Sequence, residues 1–468
     1  MRRKPPPSGP ESRTFSLKRI QKHCGQGFDK HKRLWKRRDG VWGREGKAFL
    51  QKGFPSLPQR LSAMLKRTRF RMRELPPTAG LPMHMGDCFR APEKPFTAGL
   101  RDWLGIPEPI MACSGTAAFV LALRTLARRN PGRSRVVVPA YTCPLVPLAV
   151  RLAGLRAVAC DTLPGGFGID PGALGRCCDE TALAVVPAHL GGRASDISAV
   201  SAVAHAYGAV VIEDAAQALG ASFGGRSVGL SGDIGFFSLA VGKGLTTYEG
   251  GVLFSRDPDL HAELQGTASR VLRPGLLWNA RRVLELLGYA VAYNPALLPL
   301  AYGRPLRRGL DRGDEIAAVG DAFTLDDIPL HRMDPLRLRV AANALERLPA
   351  FLEAGRDRAV RRAGMLERAG AEVLRDDPGG EGIWPFFMVL MPDRDQRDRA
   401  LGALWRSGLG VSKLFVRALP DYPYLAGAVE GGPCPAARDL AGRMLTVTNT
   451  HWLDDAAFAR LAGEICHA

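Results

Sequence analysis

Four short groups in this chain place a reactive side chain where an apolar run gives way to a turn. Asp214 closes the run VVIED at 210–214. A carboxylate ending a buried strand needs a partner, because burying it bare is costly; a metal, an arginine or a protonated heterocycle would serve, and so would a purely structural contact. Glu213 beside it is expected to point to the opposite side of the strand. Lys243 stands between glycines in VGKG (241–244), just past the run IGFFSLA (234–240) and just before TTYEGG (246–251). In a cleft such a lysine has a lowered amine pKa and becomes a nucleophile; on a surface it is only a solvated charge. Ser114-Gly115-Thr116 opens a helix-like run, so its free N–H groups would face an anion or simply be capped. The Ser238 hydroxyl, within IGFFSLA, could meet the same anion.

The elements that must position these groups are legible as alternating patterns. The helix-like run at 116–128 is followed by the strand-like VVVP (136–139), and a second helix at 145–153 follows that. ALAVVPAHL (182–190), AVVIEDAAQ (209–217), IGFFSLA and GGVLFS (250–255) are further apolar strands. Near-continuous apolar strands alternating with helices predict a parallel or mostly parallel sheet covered on both faces. In such sheets ligands bind outside the carboxyl ends of the strands, where all four groups fall. Residues 256–330 read as an irregular insertion rich in Arg and Leu, and 334–371 as one long helix. The last hundred residues, with strands near 384–391 and 445–450, read as a smaller α+β lobe.

Together, and in this order, the four groups describe what a pyridoxal phosphate enzyme needs: a lysine to hold the aldehyde, a carboxylate on the ring nitrogen, and donors for the phosphate. The released lysine would then carry protons as general acid–base. Over roughly 95–468 the chain resembles the DegT/DnrJ/StrS family of pyridoxal-phosphate sugar aminotransferases. ACSGTAAFVLALRTL (112–126), VVVPAYTCP (136–144), DTLPGGFGIDPGAL (161–174), VVPAHLGGRASD (185–196) and, most specifically, VVIEDAAQALGASFGGRSVGLSGDIGFFSLAVGKGLTTYEGGVL (210–253) carry the resemblance. It implies an aspartate-aminotransferase-like, fold type I architecture: a three-layer α/β/α large domain with a smaller C-terminal α+β domain. Catalysis would rest on Lys243 and Asp214, and the cofactor would contact Ser114, Gly115, Thr116, Tyr141, Asp214, Gln217, Ser238 and Lys243, with no metal. Such enzymes work as homodimers with shared active sites. They move an amino group, commonly from glutamate, to a keto sugar that is usually nucleotide-linked, in polysaccharide or secondary-metabolite biosynthesis.

Some positions depart from the family pattern. Cys143 stands where many members have an aromatic that stacks on the cofactor ring, so Tyr141 or another group would take that role. Leu330 stands where an Asn often reaches the phosphate of the neighbouring subunit, and the stretch 411–419 lacks the usual His-Tyr element. These departures, with the apolar insertion, keep open a lipid-linked or non-sugar carbonyl acceptor, and a non-catalytic regulator that retained the fold.

Charge and composition set the remaining bounds. The chain has 468 residues and a formal net charge of +18. Residues 1–72 hold 21 of the 64 basic and 4 of the 46 acidic side chains, so the body that follows is nearly neutral. Residues 1–75 read as a basic arm too polar to build a core, or as upstream sequence from a misassigned start; nucleic-acid binding is not expected of it. Domains are expected at 76–330, with the insertion at 256–330, and at 331–468. Nine cysteines without a CxxC pair argue against a disulfide framework and a structural zinc site and point to the cytoplasm. The uncharged run 286–303 is interrupted by Asn294, Pro295 and Pro299, so it is read as short buried helices or a subunit contact, with membrane-surface contact as the alternative.

Overall fold

The computed structural model describes residues 73–468; the basic arm lies almost entirely outside them. The apolar runs form the middle of an eight-stranded sheet. Its strands are β1 (Ile110–Ala112), β2 (Arg135–Pro139), β3 (Arg156–Cys160), β4 (Ala182–Val185), β5 (Val210–Asp214), β6 (Ile234–Ser238), β7 (Gly251–Phe254) and β8 (Val429–Glu430), in the order β1-β7-β6-β5-β4-β2-β3-β8. β2 to β6 and β8 run parallel, and β7 is antiparallel to both its neighbours. Since β7 opposes both β1 and β6, those two point the same way as β5. The carboxyl ends of β1, β6, β5 and β4 therefore share one edge of the sheet, and each strand brings a polar residue to it.

Helices cover both faces. α1 (Phe96–Leu104) and the later helix Pro335–Leu345 share one core with Phe237, Val252 and Phe254. On the other face α2 (Gly115–Arg129) packs Phe119 against Phe236, with ring centroids 5.4 Å apart. A second, antiparallel sheet orders Glu372–Val373, Phe386–Leu390, Met444–Thr448 and Val411–Ser412, and packs Phe387 and Val447 against Phe458 and Trp405 of flanking helices. The C-terminal segment is not confined to this small sheet, because β8 joins the edge of the large one beside β3.

Two expectations need correction. Residues 256–330 are largely helical, with helices at Pro258–Val271, Leu276–Ala292, Arg304–Asp311 and Glu315–Val319. The local signal is there: Asp257 accepts from the N–H of Asp259 and caps a helix that opens on Pro258, the position a proline suits best. The long helix at 334–371 is two, Pro335–Leu345 and Leu348–Arg368. Pro349 sits in the first turn of the second, where it lacks an N–H to continue the ladder of the first. The run 286–303 spans the end of helix Leu276–Ala292 and a π-helical turn at Pro299–Gly303. Leu286 and Leu298 are buried there, whereas Val291, Leu297 and Leu300 are exposed. No helix among the described residues is long and apolar enough to cross a membrane.

Candidate active site

The site is assembled at the shared strand ends. After β1 the chain turns at Ser114, whose Oγ accepts from the Ala117 N–H at 3.0 Å and starts α2. The first N–H groups of that helix, on Gly115 and Thr116, have no intrahelical partner. Gly115 is required by proximity: a Cβ there would lie 2.7 Å from Cβ and 3.0 Å from Oγ of Ser238. The helix N-terminus and the Ser238 hydroxyl are thus pressed together, a ready site for an anion. Replacing Gly115 with Ala should force the helix and β6 apart, lowering stability by about 1–3 kcal/mol and weakening phosphate-ester binding. Gly132→Ala, which has open space around it, is the control. Thermal unfolding and titration with pyridoxal phosphate check both effects.

Asp214 ends β5. One carboxylate oxygen accepts from the Ala216 N–H at 2.9 Å, and the other has no hydrogen-bond partner among the described residues. Burial pushes this carboxyl above its ordinary range, against the pull of the Ala216 hydrogen bond and the neighbouring Lys243. Glu213 does point the other way. It accepts from the N–H groups of Gly229, Ser231 and Gly232 and lies 2.7 Å from His189 Nε2. Burial alone would raise the Glu213 carboxyl, but the His189 hydrogen bond and the backbone donors outweigh it and hold it below its ordinary value. His189 Nδ1 accepts from the Ser195 N–H at 3.1 Å, which leaves the ring proton on Nε2, facing Glu213. The imidazole is therefore locked in one orientation at the floor of the cavity.

Lys243 follows β6 in a loop stitched to itself: Leu239 donates to Gly250 O at 2.8 Å, Thr247 to Leu239 O at 3.0 Å, and Val241 to Tyr248 O at 3.2 Å. Gly242 has φ of +84°, and a Cβ there would meet Thr78 Oγ1 at 2.8 Å. This backbone aims the lysine into the cavity. Burial lowers its amine below the ordinary value, opposed by the nearby Cys143 and Asp214.

One cavity, with about 900 Å³ of empty space, is lined by Ser114, Gly115, Thr116, Asp214, Gln217, Ser238 and Lys243. Every site residue expected from the sequence is therefore brought together except Tyr141. Tyr141 is buried in the core beneath, where its hydroxyl donates to Phe415 O at 3.1 Å and accepts from Phe415 N–H at 3.2 Å. Cys143 does line the cavity, its thiol pushed up to about 12 by burial. The aromatic rings available there are Phe119, His189, Phe236 and Phe415. Leu330 packs into the core on the Leu272 side. Sequence reasoning did not single out His189, Glu249, Asp327 or Phe415, which also line the cavity. His189 could have been found, since it follows β4 just as Asp214 ends β5; Phe415 comes from the far C-terminal part and carries no local signal.

The donor set fits pyridoxal phosphate. The free oxygen of Asp214 suits a protonated ring nitrogen, the buried Lys243 amine suits an aldehyde, and the Gly115–Ser238 contact gathers donors for a phosphate. Gln217 accepts from the Gly191 N–H at 2.7 Å through Oε1, which leaves its amide NH₂ free to donate.

Residues 91–283 match the model of the DegT/DnrJ/EryC1/StrS aminotransferase family. The chain is 35% identical over 170 residues to Protein MosB of Rhizobium meliloti, covering 36% of this chain and 33% of that protein. It is 33% identical over 195 residues to GDP-perosamine synthase of Caulobacter vibrioides, covering 42% and 51%. The chain thus spans a third to about half the length of these curated relatives. Among solved structures, Helicobacter pylori PseC, an aminotransferase involved in the biosynthesis of pseudoaminic acid, superposes with a TM-score of 0.65 at 13% identity, over 84% of this chain and 99% of that one. DesI in the presence of its TDP-sugar product gives 0.64 at 19% identity, over 85% and 93%. These likenesses establish the fold.

Proposed function

We propose that this chain, whose residues 91–283 match the DegT/DnrJ/EryC1/StrS aminotransferase family, is a member of that family and a pyridoxal-phosphate aminotransferase that transfers an amino group to a keto sugar. The observation that carries this reading is the shared cavity: Lys243 and Asp214 line it together, beside the N-terminus of α2. When bound, pyridoxal phosphate supplies an aldehyde that takes up the amino group and a cationic ring that draws electrons away from the amine-bearing carbon. The chain's own residues do the rest. Asp214 keeps the ring nitrogen protonated. The N–H groups of Gly115 and Thr116, with Ser238, hold the phosphate, and Gln217 donates its amide toward the ring's phenolic oxygen. Lys243, its amine made less basic by burial, is the group that takes and returns protons at the reacting carbon.

The acceptor is read as nucleotide-linked in the first instance, and glutamate or glutamine as the donor. GDP-perosamine synthase and a UDP-N-acetyl-3-dehydro-alpha-D-glucosamine 3-aminotransferase of Acidithiobacillus ferrooxidans are named for nucleotide sugars; an aminotransferase of Streptomyces fradiae is named for L-glutamine and 2-deoxy-scyllo-inosose. We also propose a homodimer with shared sites, and a division of the chain near 330/331 in which Pro335–Leu345 and β8 still pack with the large sheet. The test is amino transfer from each donor to these two ketones by the full chain supplied with pyridoxal phosphate. Aminated product is expected from at least one, and borohydride should fix the cofactor on Lys243. A protein that takes up no cofactor and makes no product sinks the reading.

A further inference from the structure

Among the described residues, only Tyr248 and Trp384 are non-glycine residues with positive φ. Trp384 is explained by its surroundings: its indole N–H donates to Asp376 at 2.7 Å and its ring lies 3.4 Å from the Arg193 guanidinium. Tyr248, at φ +67°, packs its ring against Met83 and Leu286, but its hydroxyl has no hydrogen-bond partner among the described residues. It sits five residues after Lys243, in the loop that fixes that lysine. A side chain in the left-handed region is strained, and glycine would hold the same turn without strain. Something other than the turn therefore accounts for a tyrosine here.

Its ring faces a second cavity that meets the first at Gln217, Lys243 and Phe415 and holds about 1680 Å³ of empty space. Tyr289, Tyr293, Tyr302 and Phe386 line the same space. The charged lining residues are Lys243 and Glu285, and Glu285 is already bound by Arg281 at 2.9 Å and Arg282 at 2.5 Å. Apart from Lys243, the described residues of these walls include no cation for a phosphate, but they offer flat apolar surface to a ring. Arg282 stands behind Tyr248, 5.6 Å from its centroid, and so steadies the ring.

We propose that Tyr248 is a specificity-determining residue that stacks on an uncharged ring of the acceptor, the strained backbone being retained because it points the aromatic ring at the ketone beside Lys243. This rests on the aminotransferase reading and goes beyond it. The second cavity holds the uncharged ring portion of the acceptor, and any phosphate the acceptor carries lies outside it. The interaction is made equally before and during reaction, so its loss appears in KM and not in kcat.

The experiment uses the full chain with pyridoxal phosphate and two probes, 2-deoxy-scyllo-inosose and UDP-N-acetyl-3-dehydro-alpha-D-glucosamine. Tyr248→Gly should raise KM for the converted ketone about tenfold or more, with kcat and the KM of the amino donor changed less than about twofold. Tyr248→Phe should keep the wild-type KM. Relief of φ strain offsets the ring packing lost against Met83 and Leu286, so the unfolding midpoint should move by less than about 5 °C. An active wild-type enzyme whose Y248G variant keeps its acceptor KM, or whose Y248F variant fails as Y248G does, overturns the stacking role alone. A wild-type protein that binds cofactor but converts neither ketone overturns the sugar reading and this assignment together.

Discussion

Lys243→Ala is expected to lower amino transfer by about 10³-fold or more, because the residue combines nucleophile and proton carrier, and either role alone contributes about 10²–10⁴. Among the described residues no other amine lines the cavity. Lys243→Arg should fare no better, since a guanidinium stays charged and cannot act as a base. The fold should survive both changes at the level of the backbone. The loop is held by its own ladder of hydrogen bonds between Leu239 and Gly250 and not by the lysine side chain. Burying the amine is already unfavourable to its charged form, so alanine removes a cost along with the chemistry. Steady-state rates, borohydride labelling and thermal unfolding, measured on the same preparations, separate lost chemistry from lost structure. Near wild-type turnover in Lys243→Ala would remove the foundation of the proposed function.

The second large effect is expected at Asp214, where activity and apo stability should move in opposite directions. Burial raises the Asp214 carboxyl above its ordinary value. The native state then holds a proton more tightly than the unfolded chain does. Stability is greatest below the unfolded pKa, near 3.9, and falls as pH rises through the raised native value, so at neutral pH the ionised carboxylate costs stability. Asp214→Asn keeps the shape and can still accept from the Ala216 N–H, yet it has no charge to bury. Without cofactor the variant should unfold at the same temperature or higher at pH 7, with the difference shrinking toward pH 4. Its amino transfer should fall by about 10²-fold or more, since a neutral amide cannot hold a ring nitrogen protonated. Unfolding midpoints across pH, set beside turnover, test both halves; a variant that loses stability at pH 7 and keeps its activity contradicts the account.

These two residues also show how far the primary structure could be read. Asp214 and Lys243 were identifiable because each lies next to an apolar strand, and the carboxyl ends of parallel strands collect at one edge whatever the details of the packing. The Ser114–Thr116 turn and Ser238 follow from the same logic. Tyr141 came instead from the family resemblance, as a stand-in for the aromatic replaced by Cys143, but two residues past β2 its hydroxyl is held by both backbone groups of Phe415, a partner 274 residues away. His189 lay within reach of the same rule, but the sequence does not show that Glu213, on the adjoining strand, fixes its ring.

The sequence alone determined the central strands β2, β4, β5, β6 and β7, the helices near 116–128 and 145–153, the candidate site residues and the edge of the sheet they share, because those depend on local periodicity and on short-range turn chemistry. Tertiary structure decided what no local pattern encodes: that Gly115 must be bare where it meets Ser238, that residues 276–302 fold into a helical wall, and that Tyr248 faces the space between that wall and Lys243. The reason is physical. Periodicity records which side of an element avoids water, whereas the partner on that side is set by close packing among segments hundreds of residues apart.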